Sequence, residues 1–434
     1  MDGNKGRVKS DEKTSTCVFL ETYGCTLNQS DSDVIRNILE THGYSIAQDE
    51  SSADVVIINT CTVKGATENK IITRIESLVK RKKPVVIAGC MSANEKLIKR
   101  IAPSAPIVGT ISISHIADAV RDALNGVGAI YKSREDKAMI FRPSSAPIMR
   151  IPICEGCTSN CYFCQTKIAR PFLFSYKPKT IARWVENAIE NGAKEIQLTA
   201  MDSGVYGIDL GTNLAELLKN ICAIDGEFRV RLGMINPQHA KRLGDDLINA
   251  LMHEKMYKFL HVPVQTGSED VCRAMNRQHT VADFVEVVKN AREKISDITI
   301  ATDIIVGYPT ETDEDFEKTI KLIKVVKPDI VNISKFSPRE GTVAKKLKQL
   351  PTQVIAKRSR ELTTLVKEIA REKNKALIGK YYNVLVTEKQ KNFTGRTMSY
   401  KQVVLRNFKG SLGEFVKVEI EDANHGSLFG RCVK

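Results

Sequence analysis

From Thr16 to about Gly126, short apolar runs alternate with amphipathic stretches. Residues 17–22, 54–59 and 84–89 have the length and near-continuous hydrophobicity of buried parallel strands, and residues 30–42 and 68–81 repeat their apolar positions with a helical period. This pattern predicts an open parallel α/β unit of modest size. A charged connector over 131–137 and a Pro- and Ser-rich stretch from Arg142 to Pro147 then read as a linker. Beyond Arg150 the alternation resumes on a larger scale. Strands are predicted over 195–199, 229–232, 259–264, 299–306 and 330–336 with helices between them, the pattern of a parallel barrel or part of one. A basic helical stretch over 351–375 follows, and after it the period of the apolar positions drops from 3.6 to 2. Residues 383–387, 402–405 and 415–420 alternate like strands of a small β-barrel. The division expected is a polar tail over 1–15, a first domain over 16–130, a linker over 131–149, a central domain over 150–372 and the barrel over 373–434.

Composition narrows the class. With 42% hydrophobic and 27% charged residues the chain reads as globular rather than disordered. A net charge of +14 favours a polyanionic partner, since Lys and Arg near phosphates release condensed counterions. The first sixteen residues carry no apolar segment and no apolar run approaches a membrane span, so a cytoplasmic protein without membrane association is expected. In that reducing compartment eleven cysteines point to metal ligation or catalysis before disulfides.

Cys157, Cys161 and Cys164 stand at the spacing C-x3-C-x2-C, directly after the first strand of the central domain. Three thiolates on one loop can hold three irons of a 4Fe-4S cluster and leave the fourth open. A structural zinc site would need a fourth ligand; Cys154, at C-x2-C spacing upstream, keeps that alternative open. The cysteine spacing followed by a (β/α) pattern resembles the radical S-adenosylmethionine (SAM) superfamily. The resemblance implies a partial (β/α) barrel and a SAM on the open iron. It also implies reductive cleavage of that SAM to methionine and a 5'-deoxyadenosyl radical able to take hydrogen from an unactivated C–H bond.

In the first domain Cys25, Cys61 and Cys90 each follow a predicted strand, in Tyr23-Gly-Cys25-Thr-Leu-Asn28, Asn59-Thr-Cys61-Thr-Val63 and Ala88-Gly-Cys90-Met91. The carboxyl ends of strands in an open parallel sheet face one way, so three such thiols can converge, whereas any one alone reads as a buried small residue. Together with His261-Val-Pro-Val-Gln-Thr-Gly-Ser268, Met275-Asn-Arg277, Thr302-Asp-Ile-Ile-Val-Gly-Tyr-Pro309 and Ser337-Pro-Arg-Glu-Gly-Thr342, these phrases resemble the methylthiotransferase family over nearly the whole chain. The family pairs a cluster-bearing N-terminal domain with a radical SAM barrel and a C-terminal RNA-binding TRAM barrel. The resemblance implies that Cys25, Cys61 and Cys90 hold an auxiliary 4Fe-4S cluster and that Cys157, Cys161 and Cys164 hold the SAM cluster. It implies further that Phe163, Gln265 and Asp303 line the SAM site, with a methylthio group passing from the auxiliary iron to a substrate carbon made radical by a second SAM. Cys17, Cys154, Cys222, Cys272 and Cys432 match no motif and are assigned to packing. Glu340 departs from the family's proline in the Ser337–Thr342 phrase.

The terminal barrel holds eleven Lys or Arg against five Asp or Glu from Asn374 onward, a net of +6. Gly395-Arg-Thr397 and Leu428-Phe-Gly-Arg431 resemble the TRAM pattern, which implies RNA contact through Arg396, Lys401 and Arg431. The stretches from Asp202 to Gly211 and from Arg231 to Pro237 look like those of the archaeal and eukaryotic subgroup that acts on N6-threonylcarbamoyladenosine at position 37 of transfer RNA. The implied partner is the anticodon stem-loop of a tRNA, met by a monomer with unidentified electron and sulfur donors. Methylthiolation of isopentenyladenosine or of a ribosomal-protein aspartate, and a non-catalytic iron-sulfur RNA-binding protein, are the alternatives.

Overall fold

The fold is that of a computed structural model, which describes residues 16–62, 65–133 and 147–433. The first domain is a six-stranded parallel sheet of β1 (Cys17–Thr22), β2 (Ser45–Ile46), β3 (Val55–Thr60), β4 (Val85–Gly89), β5 (Ile107–Val108) and β6 (Ile130–Tyr131), in the order β2-β1-β3-β4-β5-β6. β3 and β4 are buried along their whole length, which is why their apolar runs lack alternation. Thr22 pairs with Asn59 and Thr60 with Gly89, so β1, β3 and β4 end level with one another. The helix Thr26–Thr41 starts four residues before the predicted one. Its first turns bury Asn28, Ser30, Asp31 and Ser32, polar residues that do not register in an apolar period. The expected connector begins inside β6, and its remainder from 134 to 146, with most of the expected linker, lies outside the described residues.

The central domain is a partial barrel built from two three-stranded parallel sheets. One comprises β7 (Ile148–Pro152), β10 (Glu195–Thr199) and β11 (Arg229–Leu232); the other comprises β12 (Phe259–His261), β13 (Thr299–Val306) and β14 (Ile330–Lys335). A parallel bridge between Val230 and Met256 joins them. β12 is shorter than predicted because Pro263 has no N–H to donate; pairing resumes at Gln265, bridged to Ile304. A two-stranded ribbon, β8 (Cys154–Glu155) with β9 (Phe174–Ser175), flanks the cysteine loop. Glu340, where the family has proline, is tolerated at the surface, ion-paired with Lys345.

The closed C-terminal barrel runs β15 (Tyr381–Lys389), β16 (Phe393–Thr397), β17 (Gln402–Arg406), β19 (Leu428–Cys432) and β18 (Phe415–Ala423). β16 and β19 escape pattern reading because each is short and interrupted by a glycine. At Gly395 and Gly430 a Cβ would stand 2.4 Å from the carbonyls of Leu385 and Glu419, so the neighbouring strand demands glycine there. This barrel plugs the amino-terminal end of the partial barrel with Tyr400, whose hydroxyl donates to Glu195 at 3.1 Å and whose ring packs on Tyr257 and Phe259.

Candidate functional site

In the first domain the cysteine-bearing loops all leave the carboxyl ends of parallel strands, and in the central domain the loop follows the short antiparallel ribbon strand β8. In the first domain Cys25 caps the helix that follows β1, Cys61 follows β3 directly and Cys90 follows β4 directly. Asn28 ties the loops together: its amide donates to the carbonyls of Tyr23 at 2.6 Å and Thr60 at 3.1 Å, while Asn59 returns a bond to Asn28 O at 2.8 Å. Gly24 and Gly89 both have positive φ, and a Cβ at Gly24 would stand 2.6 Å from Cys61 Sγ, so the backbone approaches the sulfur as closely as it can. Burial pushes the Cys90 thiol up to about 12; Arg170 works against this rise, while the charges of Cys25 and Cys61 add to it, which places the three sulfurs within electrostatic reach of one another. Cys61 and Cys90 are buried and Cys25 is exposed, so the group is open on one side.

In the central domain Cys157, Cys161 and Cys164 lie on the loop after β8, and this loop is bound to the Met275–Arg277 turn. Tyr162 N donates to Met275 O at 3.0 Å, and Asn276 Nδ2 donates to Asn160 O at 2.8 Å. Two donors address the sulfurs: Ser159 N reaches Cys157 Sγ at 3.4 Å and Arg277 Nη1 reaches Cys161 Sγ at 3.3 Å. Burial and then the neighbouring Cys161 thiolate push Cys164 up to about 11. Among the described residues no three Cys, His, Asp or Glu side chains close on a single ion. A cubane cluster asks for something else, since each thiolate binds a different iron and the sulfurs therefore stand apart. Both cysteine sets fit that demand: each gathers three thiols on neighbouring turns of chain, and in the central set N–H donors aimed at Cys157 and Cys161 stabilise thiolate. Cys154 does not join them. It is buried with its thiol facing the Asp202 carbonyl at 3.9 Å, and burial holds it well above its ordinary pKa.

The other expected residues are spread more widely. Phe163 packs into an apolar patch with Val271, Met275, Tyr308 and Phe336. Gln265, at φ 73°, sits on the barrel wall with its backbone bonded to Asp303 and Ile305. The Asp303 carboxylate accepts from Asn332 at 2.8 Å and faces His261 at 3.0 Å. Arg396 and Lys401 lie at the seam between the domains, Arg396 over the Tyr400 ring and Lys401 bonded to Asp329 at 3.2 Å and Asn374 at 3.3 Å. Arg431 is well exposed and paired with Glu421 at 3.1 Å. Cys154, Cys222 and Cys272 are buried, Cys17 is half-buried and Cys432 is exposed. Sequence reasoning missed Arg170, which nothing local distinguishes, and left Arg277 and Arg339 inside quoted phrases without a role.

Comparisons with known proteins agree with this geometry. Residues 17–110 match the Uncharacterized protein family UPF0004, residues 151–323 the Radical SAM superfamily and residues 375–433 the TRAM domain. A probable threonylcarbamoyladenosine tRNA methylthiotransferase of Archaeoglobus fulgidus is 46% identical over 95% of this chain and 98% of its own length. The threonylcarbamoyladenosine tRNA methylthiotransferase of Homo sapiens is 33% identical over 96% of this chain and 74% of its own. Among solved structures, the radical S-adenosylmethionine methyltransferase TsrM from Kitasatospora setae superposes with a TM-score of 0.55 at 15% identity, covering 76% of this chain and 77% of that one, a likeness of fold.

Proposed function

Because the chain belongs to the threonylcarbamoyladenosine tRNA methylthiotransferase family, we propose that it converts N6-threonylcarbamoyladenosine at position 37 of the tRNA anticodon loop to its 2-methylthio derivative, using two clusters. It is a radical SAM enzyme whose cofactors include SAM and a 4Fe-4S cluster, and its substrate is tRNA. Assigning Cys157, Cys161 and Cys164 to the SAM cluster and Cys25, Cys61 and Cys90 to an auxiliary one is our reading. The observation that carries it is the level ending of β1, β3 and β4, each followed by one cysteine of a mutually repelling set. When bound, the first cluster supplies the electron that splits SAM, and the second an iron on which sulfur can ride.

The chain's own residues do the rest. Arg277 and Ser159 direct N–H groups at thiolates of the first site, Asn28 and Asn59 lace the loops of the second together, Gly24 lets backbone crowd Cys61 Sγ, and Gly89 lets the end of β4 close on Asn59 and Thr60. Phe163, Gln265 and Asp303 remain the proposed lining of the SAM pocket, and Arg396, Lys401 and Arg431 the proposed RNA contacts. We read the chain as a cytoplasmic monomer dependent on external electron and sulfur donors; among the described residues no helix is long and apolar enough to cross a membrane.

Iron analysis and mass analysis of the tRNA nucleosides test this together. About eight irons per anaerobically reconstituted chain and one methylthio increment on threonylcarbamoyladenosine are expected. Cys25, Cys61 and Cys90 replaced by Ala should retain SAM cleavage and lose the increment. Methylthiolated product from that variant would refute the auxiliary site.

A further inference from the structure

Two arginines of the central domain reach across to the auxiliary cysteines. Arg170 is 2% exposed and donates both to Asp31, on the helix that Cys25 caps, and to Glu155, two residues before Cys157. Arg339 is 6% exposed and donates to Glu68, on the helix Gly65–Lys80 that follows Cys61. Gly65 makes this approach possible, since a Cβ there would stand 2.7 Å from Ser337 Oγ, two residues before Arg339. The two cations approach different thiols of the set. The charge of Arg170 acts on Cys90, where it opposes the rise that burial causes, and the Cys61 thiolate counters the fall that burial imposes on Arg339.

Holding two domains together does not require this chemistry. Buried ion pairs lose so much hydration that apolar residues of similar volume commonly dock as well or better. Buried guanidinium groups within electrostatic reach of Cys90 and Cys61 serve a different need. A 4Fe-4S core on three thiolates is net negative, and each electron added deepens that charge, so nearby cations in a low-dielectric site favour reduction. All three thiolates come from the first domain and both cations from the central one.

We propose that Arg170 and Arg339 are charge-compensating and positioning residues of the auxiliary cluster, so that this cluster acquires its working potential only when the two domains are docked. The inference rests on Cys25, Cys61 and Cys90 being the ligands. Replacing an arginine removes positive charge and makes the cluster harder to reduce, whereas neutralising its partner leaves the cation uncompensated and makes reduction easier. The two changes break the same ion pair with opposite electrostatic sign.

The test is a redox titration followed by electron paramagnetic resonance, on full-length protein reconstituted with iron and sulfide. A Cys157→Ala, Cys161→Ala, Cys164→Ala background leaves the auxiliary cluster alone to titrate. Arg339→Met is expected to lower the potential and Glu68→Gln to raise it, each by about tenfold in the reduction equilibrium, about 59 mV for one electron. Arg339→Lys should stay near the parent. Should Arg339→Met fail to retain its cluster, the comparison of Arg339→Lys with Glu68→Gln decides: a parent-like potential in the first and a raised one in the second support the proposal. Potentials that move the same way in Arg339→Met and Glu68→Gln, or do not move, overturn it and leave a docking role. A background chain that takes up no iron instead overturns the ligand assignment, and this inference falls with it.

Discussion

Arg277 holds Nη1 3.3 Å from Cys161 Sγ while its Nη2 donates to Asn236 Oδ1 and, at 3.2 Å, to the Pro263 carbonyl. One guanidinium thus links the Cys161 thiol, the loop after β11 and the segment just past β12. Groups that orient metal ligands without binding the metal are typically worth about 10–100-fold in affinity or activity. Arg277→Met is therefore expected to lower SAM cleavage by that order at unchanged auxiliary iron content. Quantifying 5'-deoxyadenosine under reductant checks it, and full activity would show that the Ser159 donor suffices.

Gly89 allows a sharper expectation. At φ 83° a Cβ would stand 2.3 Å from Asn59 Oδ1 and 2.5 Å from the Thr60 carbonyl, atoms of the lattice that orders the auxiliary loops. Gly89→Ala meets backbone strain of about 1–3 kcal/mol as well as this overlap. The variant should keep SAM cleavage and lose methylthio product and roughly half its iron, whereas Gly43→Ala, with nothing within 4 Å of the added Cβ, should lose neither.

Lys401 and Arg431 should differ in what else they do. Lys401 also bonds Asp329, so Lys401→Ala should lower the melting temperature of the C-terminal barrel together with its affinity for tRNA. Arg431 is 63% exposed, and Arg431→Ala should make the salt slope shallower by about 0.7–0.9 if it meets one phosphate. Equal slopes in parent and Arg431→Ala would move the RNA face elsewhere. It would not move to Arg358, which is buried against Glu311 and Asp313.

His279 gives the protein a pH dependence of known sign. Burial, and then the charge of Arg277, lower its pKa from 6.5 to about 3, so the folded state keeps a neutral ring where the unfolded chain takes up a proton. Stability should therefore be full above pH 6.5 and fall as pH drops below it, by at most about 2 kcal/mol between pH 7 and 5. Urea midpoints across that range should fall in the parent and flatten in His279→Gln. Parallel profiles would assign the acid lability to other groups.

How much of this was legible in the sequence depended on what kind of force set each feature. Strands such as Glu195–Thr199 and Thr299–Val306 were readable to the residue because Ile196 and Leu198, and Ile300, Ile304 and Val306, recur with the period-2 spacing of a strand. The place of Cys25, Cys61 and Cys90, each just past a strand of one sheet, was readable because the three phrases repeat one topological position. The start of the helix at Thr26 was hidden, since its first turns bury polar residues for the site instead of apolar ones for the core. The pairing of Lys401 with Asp329 was hidden because charge on a basic domain looks alike wherever it points, and only the fold places the two side by side. Arg170 was unreadable for the same reason in reverse: its partners lie 139 and 15 residues away.

The seat of Tyr400 also bears on how the protein is made. Its ring and hydroxyl complete a floor formed by Glu195, Tyr257 and Phe259, yet its strand neighbourhood is finished only when β17 pairs with β19, at residues 428–432. During synthesis the central domain must therefore wait, open at one end, until that last pairing strand has left the ribosome. A chain cut short before Leu428 would present those aromatic rings to solvent, a mark by which quality control could tell an unfinished enzyme from a finished one.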